Sequence, residues 1–156
     1  MEIFWLGQSS FKLKGKGATV LISPDGVSVE EKVFSGPGEY ESKGVMITEV
    51  SLSENIIYSI VIDRLNIVHL GNLDQGNLEK ERLEEIDQAD VLLTPQSASV
   101  ADLEPKIIIP YSSDGESLGK LLKELGVENA EPQPKLSVTK DKLPEEPMVV
   151  VLEHAK

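Results

Sequence analysis

The side chains best suited to metal chemistry are scarce in this sequence. It contains two histidines, His69 and His154, and no cysteine. Zinc is held by three or four nitrogen, thiolate or anionic oxygen ligands, and a pair of ions needs correspondingly more. His69 with Asp74 offers at most a weak mononuclear site at the end of a strand. Two imidazoles cannot build a dinuclear centre, and the absence of cysteine excludes disulfides, thiolate catalysis and iron–sulfur clusters.

His69 also has a purely structural interpretation. Val68 and Leu70 flank it in an apolar segment that is typical of a strand. A histidine in that position is commonly part-buried and hydrogen-bonded between neighbouring strands. The structural interpretation is favoured because the sequence offers so few partners for a metal.

Carboxylates and serines offer other chemistry. Glu39 and Glu41 could act as acid and base, but they follow a Pro-Gly turn in a very acidic chain, where two nearby glutamates carry little information. The serines of Ser9–Ser10 and Ser97–Ser99 are potential nucleophiles. The sequence places no histidine beside them as a base unless His69 folds close by. We expect neither set to be catalytic.

Charge and hydropathy narrow the classes of partner. The net charge is −12, which repels phosphate backbones, so we expect no nucleic acid partner. The most basic stretch, Lys12–Lys16, is better explained as the exposed face of a hairpin. The N-terminus lacks the pattern of a secretory leader, and no apolar run approaches the roughly 20 residues that span a bilayer. The sequence therefore predicts no membrane association and a cytoplasmic location.

Short strands dominate the elements that must position these residues. Ser10–Lys14 alternates polar and apolar residues, and a Gly-rich turn leads to Ala18–Ile22, which predicts a hairpin. Ile56–Ile62 is apolar on both faces, so we expect it at the centre of a sheet. Strands are also predicted at the following segments: Val45–Val50, Leu65–Leu70, Asp90–Thr94, Lys106–Pro110, Lys135–Thr139 and Met148–Leu152.

Two helices are predicted among these strands. Glu79–Gln88 has Leu83 and Ile86 on one face, and its charged remainder is a solvated face. Ser113–Glu116 has the spacing of a capping box before a leucine-rich segment that stops at Gly126. No internal repeat or long linker divides the chain. At 156 residues we expect one domain, 1–156, with one hydrophobic core.

Several fragments, read in order, resemble one enzyme superfamily. Together they are similar to the metallo-β-lactamase superfamily, and specifically to its small metal-dependent hydrolases related to ascorbate-phosphate lactonase. The block Gly36–Tyr40, Gly-Pro-Gly-Glu-Tyr, is the most specific. The others are Trp5–Phe11, Ile22–Pro24, Glu41–Val45, Asn55–Tyr58, His69–Leu73 and Pro105–Pro110.

The sequence departs from that family at its metal ligands. Relative to the family pattern, Gln8 stands for a histidine and Ser23 for an aspartate. The family's His-x-His-x-Asp-His segment is missing, because only Asp25–Ser35 precede the Gly-Pro-Gly-Glu-Tyr block and they contain no histidine. Four ligands are absent there at once.

The later ligand positions differ as well. No histidine occurs at Ser51–Glu54, Asn72 replaces the bridging aspartate, and Ser112 replaces the last histidine. Lowering the pKa of a bound water towards neutrality requires a firmly held metal, which amides and hydroxyls cannot provide. On the resemblance, we expect no catalytic residues, no metal ligands and no cofactor.

The resemblance implies an α+β fold of the αββα type, in trimmed form: a two-sheet sandwich with outer helices. We expect a non-catalytic binding or assembly module, with an atypical metal-dependent hydrolase of lactones, esters or phosphodiesters as the alternative. A vestigial cleft that could bind a small polar ligand would be lined by Gln8, His69, Asn72, Tyr111 and Ser112. Loss of a segment should expose a sheet edge or face, which favours a homodimer.

Overall fold

The structure is a computed structural model that describes residues 1–52, 55–71, 86–97 and 100–155. Within these residues, thirteen strands form a six-stranded and a seven-stranded sheet. The six-stranded sheet contains β1 Glu2–Trp5, β2 Phe11–Lys14, β3 Thr19–Ser23, β4 Gly26–Val29, β5 Lys32–Phe34 and β12 Leu136–Ser137. The seven-stranded sheet contains β6 Gly38–Ser42, β7 Val45–Leu52, β8 Asn55–Ile62, β9 Leu65–His69, β10 Val91–Thr94, β11 Ile107–Pro110 and β13 Met148–Val149.

The six-stranded sheet is antiparallel throughout, in the order β12-β1-β2-β3-β4-β5. Its alternating sequence puts one residue in two on each face. In β2, Phe11 and Leu13 are fully buried while Lys12 and Lys14 point the other way. The predicted hairpin is confirmed by pairing of Leu13 with Val20.

The seven-stranded sheet is mixed, in the order β13-β11-β10-β9-β8-β7-β6. Strands β6 to β9 run antiparallel, whereas β9, β10, β11 and β13 run parallel. β8 lies between β7 and β9, as its apolar sequence predicts, and most of its residues are buried. The carboxyl ends of parallel strands meet at one edge of the sheet, so His69 at the end of β9 lies near the residues that follow β11.

The two sheets pack into a sandwich. One apolar cluster, which includes Phe11, Ile22, Ile60 and Ile67, fills the space between them. A second cluster, which includes Val68, covers the outer face of the seven-stranded sheet. The expected two-sheet fold is therefore confirmed, and it is mostly β.

Helix is less abundant in the described residues than the expected outer layers require. They contain one α-helix longer than a single turn, α2 Gly115–Glu124, beside the one-turn α1 Val100–Leu103 and a 3₁₀ turn at Lys140–Lys142. The N-cap of α2 is Asp114, one residue later than the predicted Ser113, because the Asp114 carboxylate accepts the Ser117 N–H at 2.7 Å. The predicted helix Glu79–Gln88 lies mostly outside the described residues. No described helix is both long and apolar enough for a membrane crossing.

The last part of the chain joins both sheets. The predicted strands there are shorter than expected, at Leu136–Ser137 and Met148–Val149. The reason is that the backbone after β13 crosses from one sheet towards the other: the Val150 N–H donates to Ile108 at 2.9 Å, and the Ala155 N–H donates to Trp5 at 2.8 Å. This crossing segment places His154 beside β1.

Candidate functional site

His69 is the centre of the predicted cleft, and both of its ring nitrogens are occupied by backbone groups. Nε2 lies 2.7 Å from the Ser9 carbonyl oxygen, and Nδ1 accepts the Gly71 N–H at 3.1 Å. A carbonyl can only accept, so Nε2 carries the proton and Nδ1 is bare. The side chain is 2 % exposed. His69 therefore acts as a buried strut between the six-stranded sheet and the end of β9.

The charge state of His69 follows from this burial. Removal from water disfavours the imidazolium and lowers the pKa of His69 to about 4, although the hydrogen bond to the Ser9 carbonyl opposes the shift. The ring is consequently neutral at physiological pH. A neutral imidazole with one donor and one acceptor matches the two backbone groups that contact it.

Aromatic rings enclose His69. Tyr111 stacks on it at 5.6 Å between ring centroids with an interplanar angle of 14°, and Phe11 approaches edge-on at 5.8 Å. Tyr58, its cross-strand partner on β8, lies 5.9 Å away. The Tyr111 hydroxyl donates to the Gly71 carbonyl. The site is thus filled by rings and by satisfied backbone groups.

The loop after β9 depends on glycine. Gly71 has φ +63°, and a Cβ there would lie 2.6 Å from both the Asn55 side-chain oxygen and the Ile56 carbonyl. Asn55 in turn donates to the Leu70 carbonyl at 3.0 Å. No larger residue fits this position, which fixes the Gly71 N–H that faces His69.

Gln8 lies in a tight turn between β1 and β2. Its side chain is exposed and its φ is +49°, while its carbonyl accepts the Trp5 indole N–H at 2.8 Å. His154 covers this turn from outside: its ring lies 5.7 Å from Trp5, and a Cβ on Gly7 would lie 2.9 Å from its Nε2. Both histidines therefore contact the same turn. Local sequence could not reveal this, because His154 arrives by a long-range bridge.

The remaining predicted cleft residues are only partly described. Tyr111 follows β11 and is held beside β10 by its N–H, which donates to the Thr94 carbonyl at 3.0 Å. Ser112 is half-buried, and its hydroxyl accepts the Asp114 N–H at 3.4 Å ahead of α2. Asn72 lies outside the described residues, as does Asp74. The structure thus brings His69 and Tyr111 into contact. Gln8 directly precedes Ser9, whose carbonyl contacts His69, and Ser112 directly follows Tyr111.

Glu49 is a buried carboxylate that was not among the predicted site residues. It is 3 % exposed, and neither carboxylate oxygen has a hydrogen-bond partner within the described parts of the chain. Burial raises its pKa to about 6, and the backbone N–H of Gly36, which approaches the carboxylate without forming a hydrogen bond of normal geometry, opposes the shift in part. Alternation along β7 places Glu49 on the same face as the buried Val45 and Ile47, so the pattern alone contained this signal.

Glu49 and His69 belong to one cross-strand row, with Tyr58 between them. Burial and, secondarily, the negative charge of Glu49 raise the pKa of Tyr58 to about 12. The tyrosine therefore stays protonated over the whole physiological range. The row joins a neutral base, a neutral phenol and a carboxyl group whose pKa lies near neutrality.

Comparison with known proteins agrees with this architecture. The model of the β-lactamase superfamily domain matches residues 25–126. The chain belongs to this superfamily. A crystal structure of a candidate Zn-dependent hydrolase of the metallo-β-lactamase superfamily from Thermotoga maritima is 27% identical, and the match covers 97% of this chain and 98% of that one with a TM-score of 0.75. No curated protein matches the sequence.

The described residues of this superfamily member do not fit a zinc pair. No group of three or more His, Asp or Glu side chains in the described ranges is arranged to hold a metal ion. His69 has no lone pair to spare, since Nδ1 already accepts from Gly71 and Nε2 donates to Ser9. Ser23 uses its hydroxyl within its own turn, donating to Gly26 at 3.3 Å. These side chains thus contribute to the fold.

The alternative catalytic groups of this superfamily member are dispersed. Glu39 and Glu41 are exposed on the edge strand β6. Ser97 donates to Glu124 of α2 at 2.8 Å, and Ser99 lies outside the described residues. Ser9 contributes its carbonyl oxygen to His69. None of these contacts is a hydrogen bond between a serine hydroxyl and a histidine.

Proposed function

We propose that this chain is a non-catalytic member of the metallo-β-lactamase superfamily that serves as a binding or assembly module. The observation that carries the proposal is the pair of backbone hydrogen bonds on His69. Both ring nitrogens of His69, the one histidine among the predicted cleft residues, are already hydrogen-bonded to backbone groups. Binding a metal through either nitrogen would leave a buried backbone group unpaired, at a cost of about 1–3 kcal/mol.

The neutral side chains at the predicted cleft residues and the net charge of the chain support the same proposal. Superfamily-type hydrolysis needs a bound metal that lowers the pKa of water, whereas the predicted cleft residues outside the filled core offer only neutral groups: an amide at Gln8 and a hydroxyl at Ser112. Such groups suit hydrogen bonding to a small polar ligand. With a net charge of −12, we do not expect the partner to be a nucleic acid.

Metal analysis combined with assays tests this proposal. The chain is purified without chelator, measured by elemental mass spectrometry, and assayed with a lactone, a nitrophenyl ester and bis(nitrophenyl) phosphate, before and after adding zinc or manganese. We expect metal below about 0.1 equivalent per chain and no turnover above background. About one equivalent of tightly held metal, together with turnover that a chelator abolishes, would overturn it.

The second candidate is an active metal-dependent hydrolase. Similarity over nearly the whole chain to a candidate Zn-dependent hydrolase favours it. This function would require ligands from outside the described residues, such as Asp74, and release of His69 from its backbone partners. His69→Gln separates the two candidates: it would abolish turnover in a hydrolase that uses His69 as a ligand, whereas the non-catalytic proposal expects no turnover in either protein.

A further inference from the structure

The outer face of the six-stranded sheet carries a continuous cross-strand row. Starting at β1 and ending at β5, the row consists of Phe4, Lys12, Leu21, Ser28 and Val33, each paired with the next. We call it the Leu21 row. It is an alternation of apolar and polar side chains centred on the middle strand, β3.

This outer face is exposed to solvent, whereas the outer face of the seven-stranded sheet is covered by other residues of the chain. Leu21 is 39% exposed and Val33 is 65% exposed. On the outer face of the seven-stranded sheet, Val68 and Leu92 are fully buried beneath residues that include Leu103. The described chain therefore covers one outer face with its own residues and leaves apolar side chains exposed on the other.

The distribution of charge singles out the same face for self-association. Residues 1–36 contain four lysines and four acidic residues, so the whole excess of −12 lies on residues 37–156. Two copies that approach through their later residues repel each other. Approach of a second copy to strands β1 to β5, which lie within residues 1–36, is not opposed by net charge.

A second row beside the first adds complementary charge. Lys14 on β2 pairs with Thr19 on β3, and the Thr19 N–H donates to the Glu30 carboxylate at 2.9 Å, just past the end of β4. Lys14 and Glu30 are both exposed. They lie on either side of β3, one strand away in each direction.

We propose that two copies of this chain pack their six-stranded sheets face to face about a two-fold axis that runs along β3. In such a dimer each cross-strand row faces the same row of the second copy. β2 then faces β4 of the second copy, and β1 faces β5. Leu21 then meets Leu21 of the second copy once, on the axis, whereas the Phe4–Val33 and Lys14–Glu30 pairs each occur twice. Under this operation the face is complementary to itself, which gives the proposed assembly module a specific surface.

The size of the face sets the expected strength. Five strands about 4.8 Å apart and about 15 Å long cover roughly 360 Å² per copy, or about 720 Å² for the two copies together. This area is below the roughly 1,200 Å² of a standard stable interface, so association should be weak and depend on concentration. We expect a dissociation constant on the order of 10–100 µM, and weaker association at high salt because the Lys14–Glu30 pairs are exposed.

Sedimentation velocity across about 5–500 µM, with a matched pair of substitutions, tests the apolar part. Leu21→Lys should abolish the rise in sedimentation coefficient with concentration. Met46→Lys is the control, since Met46 is equally apolar and 57% exposed but lies on the seven-stranded sheet, and it should dimerise like the wild type. A monomer at every wild-type concentration, or loss of dimer in Met46→Lys but not in Leu21→Lys, would overturn the proposed surface.

Charge exchange tests the symmetry. Lys14→Glu and Glu30→Lys, each alone, place like charges opposite each other and should weaken the dimer about 10-fold. Mixing the two variants restores both opposite-charge pairs in a heterodimer, which should recover to within about 3-fold of the wild type. A mixture that associates no better than its components contradicts the axis along β3. Circular dichroism of each variant confirms that it is folded.

The dimer proposal rests on the proposed role as an assembly module, but the two fail separately. A monomer without metal or turnover leaves the non-catalytic proposal intact and removes this surface. A dimer with metal-dependent turnover leaves this surface intact and removes the non-catalytic proposal.

Discussion

His69 and Glu49 are buried on the same face of the seven-stranded sheet, with Tyr58 on the strand between them. His69 meets a backbone acceptor and a backbone donor, so its neutral form is complete. Glu49 meets no hydrogen-bond partner for its carboxylate oxygens among the described residues. Although both side chains are buried, the consequences are opposite. His69 holds two segments together, whereas Glu49 destabilises the sheet whenever it is ionised.

The comparison also explains why both pKa values shift towards the neutral form. Burial lowers the pKa of His69 to about 4 and raises that of Glu49 to about 6, because desolvation penalises whichever form is charged. The neutral histidine is stable across physiological pH. The neutral carboxyl exists only under mildly acidic conditions, so Glu49 alone gives this region a pH response near neutrality.

Removal of the His69 ring should have the largest effect. His69→Leu leaves the Ser9 carbonyl and the Gly71 N–H unpaired in the core, and we expect a loss of about 3 kcal/mol in the free energy of unfolding. Urea denaturation measures it. His154→Ala, at the exposed histidine of the same turn, should cost less than about 1 kcal/mol. Similar losses for both histidines would show that His69 is not the strut described above.

Tyr111→Phe should have the next largest effect. It removes the donor to the Gly71 carbonyl while keeping the ring that stacks on His69, so we expect a loss of about 1–2 kcal/mol by urea denaturation. Tyr40→Phe is the matched control, because the Tyr40 hydroxyl donates to Gly36 at 2.8 Å in a half-buried site. A larger loss for Tyr40→Phe would contradict the importance assigned to the Gly71 contact.

Glu49→Gln should reveal a pH dependence. The folded-state pKa lies above the unfolded value, so the wild type is most stable below about pH 4.5 and loses that stability as the pH rises through about 6. The glutamine variant cannot ionise at this position, so its stability does not fall as the pH rises through this range. We expect it to exceed the wild type by about 1 kcal/mol at pH 8 and to show no such advantage at pH 4.5.

Thermal denaturation at both pH values measures this difference. Glu39→Gln, at an exposed position on β6, should show no comparable crossover. An advantage for Glu49→Gln that is the same at pH 4.5 and pH 8 would mean that the carboxylate charge is not the cause.

The smallest effect is expected at the rim. Ser112→Ala loses one long hydrogen bond to the backbone ahead of α2, so its free energy of unfolding should change by no more than about 0.5 kcal/mol. Urea denaturation provides the value. A loss above about 1.5 kcal/mol would show that the rim is part of the stabilising network around His69.

Much of the fold was predictable from local pattern. The alternation of β2 and the doubly apolar β8 gave the correct strands, because each pattern reflects which faces are covered. The structural interpretation of His69 was right in kind, but the side chain is almost fully buried and its partners, Ser9 and Gly71, lie in turns and not on neighbouring strands. The N-cap of α2 was placed one residue early, since Ser113 and Asp114 both suit a cap and only geometry chooses between them.

The long-range features were not predictable in this way. His154 reaches the Gln8 turn through the crossing segment after β13, and no local pattern specifies such a bridge. The alternation of β7 points Glu49 inward, but whether it finds a partner there depends on neighbouring strands. The vestigial cleft and the assignment as a non-catalytic module remain predictions, and Asn72 lies outside the described residues.

The bridge between the beginning and end of the chain has a consequence for biosynthesis. β1 pairs with β2 soon after both leave the ribosome, but its other edge waits for Leu136–Ser137 and for His154. During that interval the nascent protein exposes an unpaired strand edge. Such distant pairing slows folding, so closure of this edge should be a late step of folding.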